Sequence, residues 1–473
     1  MEDKPHPNRI GLPLCGLDLT IRGRRTCIQE ETSLPAKNTN TVTLNVRANP
    51  MFLHLVTTFV EKSAIAFGLD EPEALSLTLA TEEIFAYLCQ SSSPDREVWL
   101  RCTGGGYYAE EEFQFEAKDF SMRAFNLTAS PSVDSDPELK ETGLLIASRM
   151  VDRFRFSQQD QELRLVLMKE KSYPRFSELP AASTQPLKEF SVKAPDPEEL
   201  KLLVRLLNLS YPAHLVPMSF RFPGKVVDMV ASGDCFAIVA ADRSGHLGGG
   251  ALWRWDGPKL VELYGPYVFS HEPDSIMAQA LVEHFLGSVA KSSAVGVINR
   301  HSTPELPSEY FESLGSLTVP QEEGPPLTVP AYYRHLEEDL GITIWAHHSL
   351  REFLRKEYAR LVFAREIRLI TDEGESSSSY SVLSAEFDRG SSRVTLRPVW
   401  WGLDTEENVA NHVRILRDEG IGGIFFAMDL GKAWQSRFTP AVLNAGFEPR
   451  LVLPYAGKGD VVVFQLAGGE SSR

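Results

Sequence analysis

Positive charge is in short supply in this chain: 48 Lys and Arg face 64 Asp and Glu, a formal net charge of -16. That excludes a general affinity for the nucleic-acid backbone, which needs clustered cations. Cysteine is scarce too. There are five in 473 residues, an odd number with no CxxC pair. Cys15 and Cys27 could reach a metal only with help from a distant His, so the pattern points to free or buried thiols in a reducing compartment. No apolar run approaches the ~20 residues of a membrane helix. The start, Met-Glu-Asp-Lys-Pro, lacks the apolar stretch of a secretory signal. The expectation is a cytoplasmic protein with no nucleic-acid and no membrane partner. What is present is ordinary: 43% apolar and 24% charged residues, which excludes wholesale disorder, collagen and coiled coil. At ~150 residues per domain the length suggests about three domains.

Residues 1–40 hold several Pro, Gly and charged residues without a sustained period and read as a tail. Val42 to Val46 alternates like a strand. Met51 to Phe67 and Glu71 to Leu88 carry apolar residues at helical spacing. Val98 to Cys102 and Glu112 to Phe115 read as strands around a turn at Gly104 to Gly106. A helix over 141–151 and strands at 153–156 and 162–168 complete a first domain, 41–172. The linker is 173–188, polar with Pro174, Pro180 and Pro186. A second domain, 189–330, opens with a helix over 199–209 and continues through a helix, three strands, the helix 275–289 and a strand at 294–299. The third, 331–473, repeats the later portion of that order: a strand over 394–401, where Pro398 implies an edge or a bulge, the helix 405–418 and a strand at 423–428. In both copies a short helix ending in Gly is expected next, Tyr310 to Gly315 and Pro440 to Gly446. The fold class read from this is α/β (α+β), with an internal structural repeat.

Two segments of the first domain carry a resemblance. Leu77-Thr-Leu-Ala-Thr-Glu-Glu-Ile-Phe-Ala-Tyr-Leu88 is similar to the helix that bears the Glu and Asn of the GHKL superfamily in its anti-sigma-factor kinase branch. Thr142-Gly-Leu-Leu-Ile-Ala-Ser-Arg-Met-Val-Asp152 resembles its Gly-rich lid entering the next helix. The resemblance implies a two-layer α/β sandwich with ATP or ADP between helices and lid. It puts Glu83 in the catalytic place and Asp119, Gly143 and Leu144 in the nucleotide-binding ones. Tyr87 stands where the family has the magnesium-binding Asn, and Tyr is a poor ligand for that hard ion. Asp119 lacks the Gly that normally follows the adenine-recognising Asp, and Gly143 is the lid's one remaining glycine.

The second domain resembles the GNAT acetyltransferase fold through Phe236 to Gly250, then Glu262-Leu-Tyr-Gly-Pro-Tyr-Val-Phe269 and the helix after it. In that family acetyl-CoA lies along the fourth strand, where a bulge splays it from its neighbour, and the pyrophosphate meets the start of the next helix. The resemblance makes Tyr264, Gly265, Tyr267, Val268 and Ser275 the cofactor-binding residues and Tyr310 the general acid. The phosphate turn is His271-Glu-Pro-Asp-Ser-Ile276, acidic and without Gly, so its charge opposes a pyrophosphate. Phe311 and Val442 lie where the two copies should have the family's Tyr. Pro266 lacks an N–H for regular pairing, so the groove from Tyr264 to Phe269 is the best ligand position. Trp400 and Trp401 could stack a ring ligand or divide between core and surface. His347 and His348 point apart on a helix and have no evident third metal ligand.

The leading reading is a bacterial regulatory protein. It joins a degenerate ATP-binding, anti-sigma-kinase-like module to tandem GNAT-like modules that bind a protein partner or a small-molecule ligand. An acyl-CoA-dependent N-acetyltransferase regulated by the first domain, and an ATP-dependent protein serine kinase, are the alternatives. Nucleotide and acetyl-CoA binding are expected to be weak, and oligomeric state is open.

Overall fold

A computed structural model describes residues 40–90, 96–116, 120–129, 136–159, 162–174, 187, 189–269, 276–321, 324–371, 378–388 and 391–467. The tail, most of the linker, Asp119, the turn 270–275 and Ser275 lie outside the described residues. The fold is mixed α/β with several sheets.

The first unit is a two-layer sandwich. Its sheet comprises β1 (Asn40–Arg47), β2 (Glu97–Gly104), β3 (Tyr108–Glu116), β4 (Arg153–Gln159) and β5 (Glu162–Glu170) in the order β1-β2-β3-β5-β4, with every pair antiparallel. β2 shows why: Val98, Leu100 and Cys102 alternate inward against Glu97, Trp99 and Arg101 outward. Helices α1 (Leu53–Ala66), α2 (Glu71–Gln90) and α3 (Asp136–Met150) cover the inner face. A reciprocal cap starts α2: Glu73 N–H donates to Asp70 Oδ1 and Asp70 N–H to Glu73 Oε2.

A seven-stranded sheet follows, made of β6 (Ser191–Lys193), β7 (Phe236–Ala241), β8 (Leu247–Trp255), β9 (Leu260–Val268), β10 (Gly296–Asn299), β11 (Glu312–Val319) and β12 (Leu327–His335). Its order is β11-β12-β10-β9-β8-β7-β6. Helices α4 (Pro197–Ser210) and α5 (Pro223–Ala231) precede β7, and α6 (Ile276–Val289) separates β9 from β10. Asp196 caps α4 with Pro197 at its first position and Glu199 closing the capping box.

In the last unit β13 (Ile342–Ala346) and β14 (Arg365–Leu369) pair in parallel around α7 (Arg351–Leu361). Next come β15 (Val382–Asp388), β16 (Arg393–Trp400), α8 (Thr405–Asp418), β17 (Gly423–Asp429), the short helices α9 (Ala433–Ser436) and α10 (Thr439–Asn444), β18 (Phe447–Leu453) and β19 (Val461–Leu466). Their sheet runs β15-β16-β17-β19-β18, against β8-β9-β10-β12-β11 in the preceding unit. The pairings agree step by step: antiparallel, parallel, antiparallel, antiparallel. The repeat is therefore a property of the sheets.

These two sheets share one core. Leu260, Ile298, Leu314 and Tyr333 of the first pack in one cluster with Leu396, Phe426, Leu451 and Phe464 of the second. Gln465 extends the join, its amide receiving the Thr318 N–H at 3.0 Å and donating to the Thr318 carbonyl at 2.6 Å. The sandwich meets the middle unit through Lys225 and Glu170, 2.5 Å apart, and through Tyr173 O–H donating to Asp228 at 2.6 Å.

Two local expectations need correction, and a third is decided between its alternatives. Tyr310 to Gly315 is not a helix: a single 3-10 turn at Ser308–Tyr310 leads into β11. The segment pairs with β12 from Glu312 opposite Tyr333, and that ladder outweighs its helical spacing. Pro398 lies on an inner strand, where a register shift opposite Val382 and Leu383 makes it a member of a bulge and not an edge. His347 and His348 do not share a helix; they straddle the start of a 3-10 turn with ring centroids 4.0 Å apart.

Candidate functional site

The sandwich brings Glu83, Tyr87 and Gly143 together but closes the space between them. Glu83 and Tyr87 lie one turn apart on α2. Gly143 of α3 faces the flexible tip of the Glu83 side chain on α2, so the two helices meet there. Leu144, expected to line a nucleotide, is fully buried in the sandwich core. The Tyr87 hydroxyl accepts the Ser121 N–H at 3.2 Å, and its ring meets Phe120 edge-on at 5.5 Å. Phe120 belongs to an aromatic cluster with Phe115, Phe125 and Phe156. A magnesium nucleotide does not fit these residues. Its metal would face a phenol, and its phosphates would have to part α2 from α3.

The middle sheet does have a wedge. β9 is its fourth strand in chain order and runs parallel to β10, but the ladder covers only Leu260 to Glu262 against Gly296 to Ile298. Opposite β8 the register slips between Gly250 and Leu252, where β9 carries Gly265 and Pro266. Gly265 has φ +90, a conformation suited to glycine. Beyond the bulge β9 has left its parallel neighbour and has backbone groups to satisfy.

The protein satisfies them itself. Asn299 Nδ2 donates to the Gly265 carbonyl at 2.7 Å, and Thr303 Oγ1 donates to the Pro266 carbonyl at 2.6 Å. Tyr211, from the end of α4, serves Val268 twice: its hydroxyl accepts the Val268 N–H at 2.7 Å and donates to the Val268 carbonyl at 3.1 Å. Tyr267 O–H donates to the Leu215 carbonyl at 2.8 Å. Of the residues expected to hold a cofactor, Tyr264, Gly265 and Tyr267 are buried and Val268 is half-buried. These side chains occupy hydrogen-bonding positions that the resemblance would assign to an acetyl-CoA arm.

The second copy closes its wedge in the same place. Gly423 pairs with Arg393 as Gly296 pairs with Leu260. Five residues on, Pro398 is the counterpart of Gly265. Gln435, buried, donates to the Pro398 carbonyl at 3.2 Å and accepts the Asp429 N–H at 2.7 Å. A buried amide thus bridges the diverging strands in both copies.

Beside the first wedge lies an ionic cluster that sequence reasoning missed. Glu262, fully buried on β9, receives Arg300 at both oxygens, 2.8 Å each, and the Tyr264 hydroxyl at 2.5 Å. Arg300 also bonds Asp256 at 2.9 Å, Arg254 lies 5.5 Å over the Tyr264 ring, and His301 Nδ1 is 3.7 Å from Glu262. Burial opposes ionisation of Glu262, yet Arg300 and His301 hold its carboxyl well below the usual range. Burial lowers the pKa of His301, against the pull of Glu262. The clue was a lone Glu inside an apolar strand, with Arg-His directly after the next one.

Tyr310 does not serve the wedge. Its hydroxyl donates to Glu283 at 2.8 Å and accepts from Gln279 at 3.0 Å, both on α6. Hydrogen bonding to Glu283 raises its pKa, the wrong direction for an acid at neutral pH. Trp400 packs against the sandwich core and Trp401 lies 4.9 Å under Arg437. Among the described residues no group of three metal-ligating side chains occurs, and none of the described helices is long and apolar enough to cross a membrane.

No protein-family model matches the chain, and no curated protein matches it significantly. Solved structures similar to it include an aminoglycoside 6'-acetyltransferase type Ii, 20% identical over 31% of this chain and 98% of that one, TM-score 0.25. A second is a GNAT superfamily phosphinothricin acetyltransferase from Sinorhizobium meliloti in complex with AcCoA, 17% identical over 32% and 89%, TM-score 0.27. A third is a GNAT family N-acetyltransferase from Escherichia coli in complex with CoA, 20% identical over 33% and 86%, TM-score 0.25. The likeness is weak in sequence and spans about a third of this chain.

Proposed function

We propose that the chain is a regulatory binding protein in which a sandwich of the anti-sigma-kinase type and two GNAT-like units act as partner-binding bodies. One observation carries this reading. At the bulge in each copy, the backbone groups an acyl-carrier arm would use are bonded instead to internal side chains, Tyr211, Asn299 and Thr303 in one and Gln435 in the other. The direct packing of α3 on α2 at Gly143 supports the same conclusion for the sandwich. The partner is a protein or a small ligand without pyrophosphate.

Isothermal titration of the full chain with acetyl-CoA, CoA and Mg-ATP tests it. Affinities weaker than about 0.1 mM are expected, a binding free energy of only about -5.5 kcal/mol. Micromolar acetyl-CoA binding, weakened by Tyr211→Trp, would instead establish the N-acetyltransferase reading. Magnesium-dependent ATP turnover abolished by Glu83→Ala would establish the kinase.

A further inference from the structure

Residues 120–129 follow β3 and precede α3, and they are held from both sides. On the sandwich side Ser121 is bonded to Tyr87, Phe125 packs edge-on to Phe156 at 4.8 Å, and Arg149 of α3 donates to the Leu127 carbonyl at 3.0 Å. On the other side stands the last unit. Asn126 Nδ2 donates to the Ser381 carbonyl at 2.8 Å and its Oδ1 accepts the Leu383 N–H at 2.9 Å. One side-chain amide thus meets the groups flanking Val382 that an added strand would meet. Asn408 of α8 reaches the Ser381 carbonyl at 2.9 Å and Asn126 Oδ1 at 3.3 Å; Thr128 donates to Asn408 at 3.4 Å. Asn126, Ser381 and Asn408 are all buried. Around them the contact is apolar: Val382, Val399 and Trp400 belong to the sandwich's own core cluster. Arg123 lies over the Tyr380 ring at 5.0 Å.

We infer that the last unit is a conformational clamp: β15 and α8 grip residues 120–129 and through them hold α3 against α2 between Glu83 and Gly143. This deepens the regulatory reading above and rests on it for its purpose, though not for its mechanics. A ligand entering between α2 and α3, or a protein competing for Ser381 and Asn408, must loosen the same contact. Binding at either place is thereby coupled to the other. The amide is the grip because it satisfies a donor and an acceptor at once, and a buried group left unpaired is costly.

Hydrogen exchange of the full-length protein tests the clamp without any ligand, so its outcome is separable from the titrations above. Asn126→Asp keeps the shape but turns the donor facing the Ser381 carbonyl into an anion. Amides in 120–129 and 142–150 are expected to exchange at least ~10-fold faster, with β10 and β17 unchanged. Unchanged exchange, or acceleration confined to 378–383 and 405–412, would overturn the clamp. Should Asn126→Asp unfold globally, Tyr380→Ala removes only an exposed ring from Arg123. It should then speed exchange ~2- to 3-fold in the same two segments, and no acceleration there would sink the proposal.

Discussion

Glu111 has no exposed surface on the inner side of β3, and one of its oxygens has no partner. The Thr81 hydroxyl lies between the Leu77 carbonyl, at 2.8 Å, and a Glu111 carboxyl oxygen, and donates to both. Burial pushes that carboxyl up to about 8, the Thr81 hydroxyl pulling back. A raised acid contributes stability that is complete below its ordinary value of 4.5 and lost as pH rises through about 8. The loss is expected to reach about 3–5 kcal/mol. Glu111→Gln should flatten this slope, and Tm measured across the window in both proteins checks it; parallel curves would refute the assignment. His412 works in the other direction. It is buried, its Nδ1 meets the Asn408 carbonyl at 2.9 Å and its Nε2 has no partner. Burial lowers it from 6.5 to about 4, Asn408 resisting. The unfolded chain takes up a proton that the fold refuses, so stability falls as pH drops from 6.5 towards 4 and no further. His412→Met should remove that acid slope in urea titrations at several pH values.

At the scale of elements, the amide bridging β16 and β17 makes a sharper demand than the strands themselves. Gln435→Ala leaves the Pro398 carbonyl and the Asp429 N–H unpaired, at a cost of about 2–4 kcal/mol. Denaturant midpoints should show it, and Gln435→Glu should be nearly as harmful because it loses the donor. A loss under ~0.5 kcal/mol in both would mean that the wedge relaxes around the gap. Strands and helices were legible where periodicity is strong: α2, α4, α8 and β7 to β10 fall close to their expected spans. β12, β13, α7 and β14 were not anticipated; residues of the first three, among them Val329, Tyr333, Ile344 and Leu354, are buried in the shared core. Tyr310 to Gly315 has the local character of a helix end, yet pairing with β12 decides its state. The bulge at Gly265 and Pro266 could be read, because proline removes a donor wherever it stands. What fills the wedge could not. Tyr211 lies 57 residues from Val268, and Asn299 lies 34 residues from Gly265. The Arg300–Glu262 pair is equally long-range, 38 residues apart.

Taken as a whole, the molecule has no clean seam between its seven-stranded sheet and its last five-stranded one. Ending the chain after Leu336 would leave Leu260, Ile298, Leu314 and Tyr333 without the residues that bury them. In such a fragment β10 and β12 are expected to lose hydrogen-exchange protection while the sandwich keeps its own, and protected β10 and β12 would show the sheets to be independent. The joints between bodies share one chemical device: Asn126 between the sandwich and the last unit, Gln465 across the two sheets, and Asn299 and Gln435 inside the wedges. Each is a side-chain amide standing where backbone would otherwise pair. Amides hydrolyse slowly to acids, and at these places the product is an anion facing a carbonyl oxygen. The joints are consequently where the protein should age. Asn126 and Asn299 are followed by Leu127 and Arg300 rather than glycine, bulky neighbours that hinder the backbone's attack on the amide, so the joints fail late, by loss of ammonia from a rigid interior.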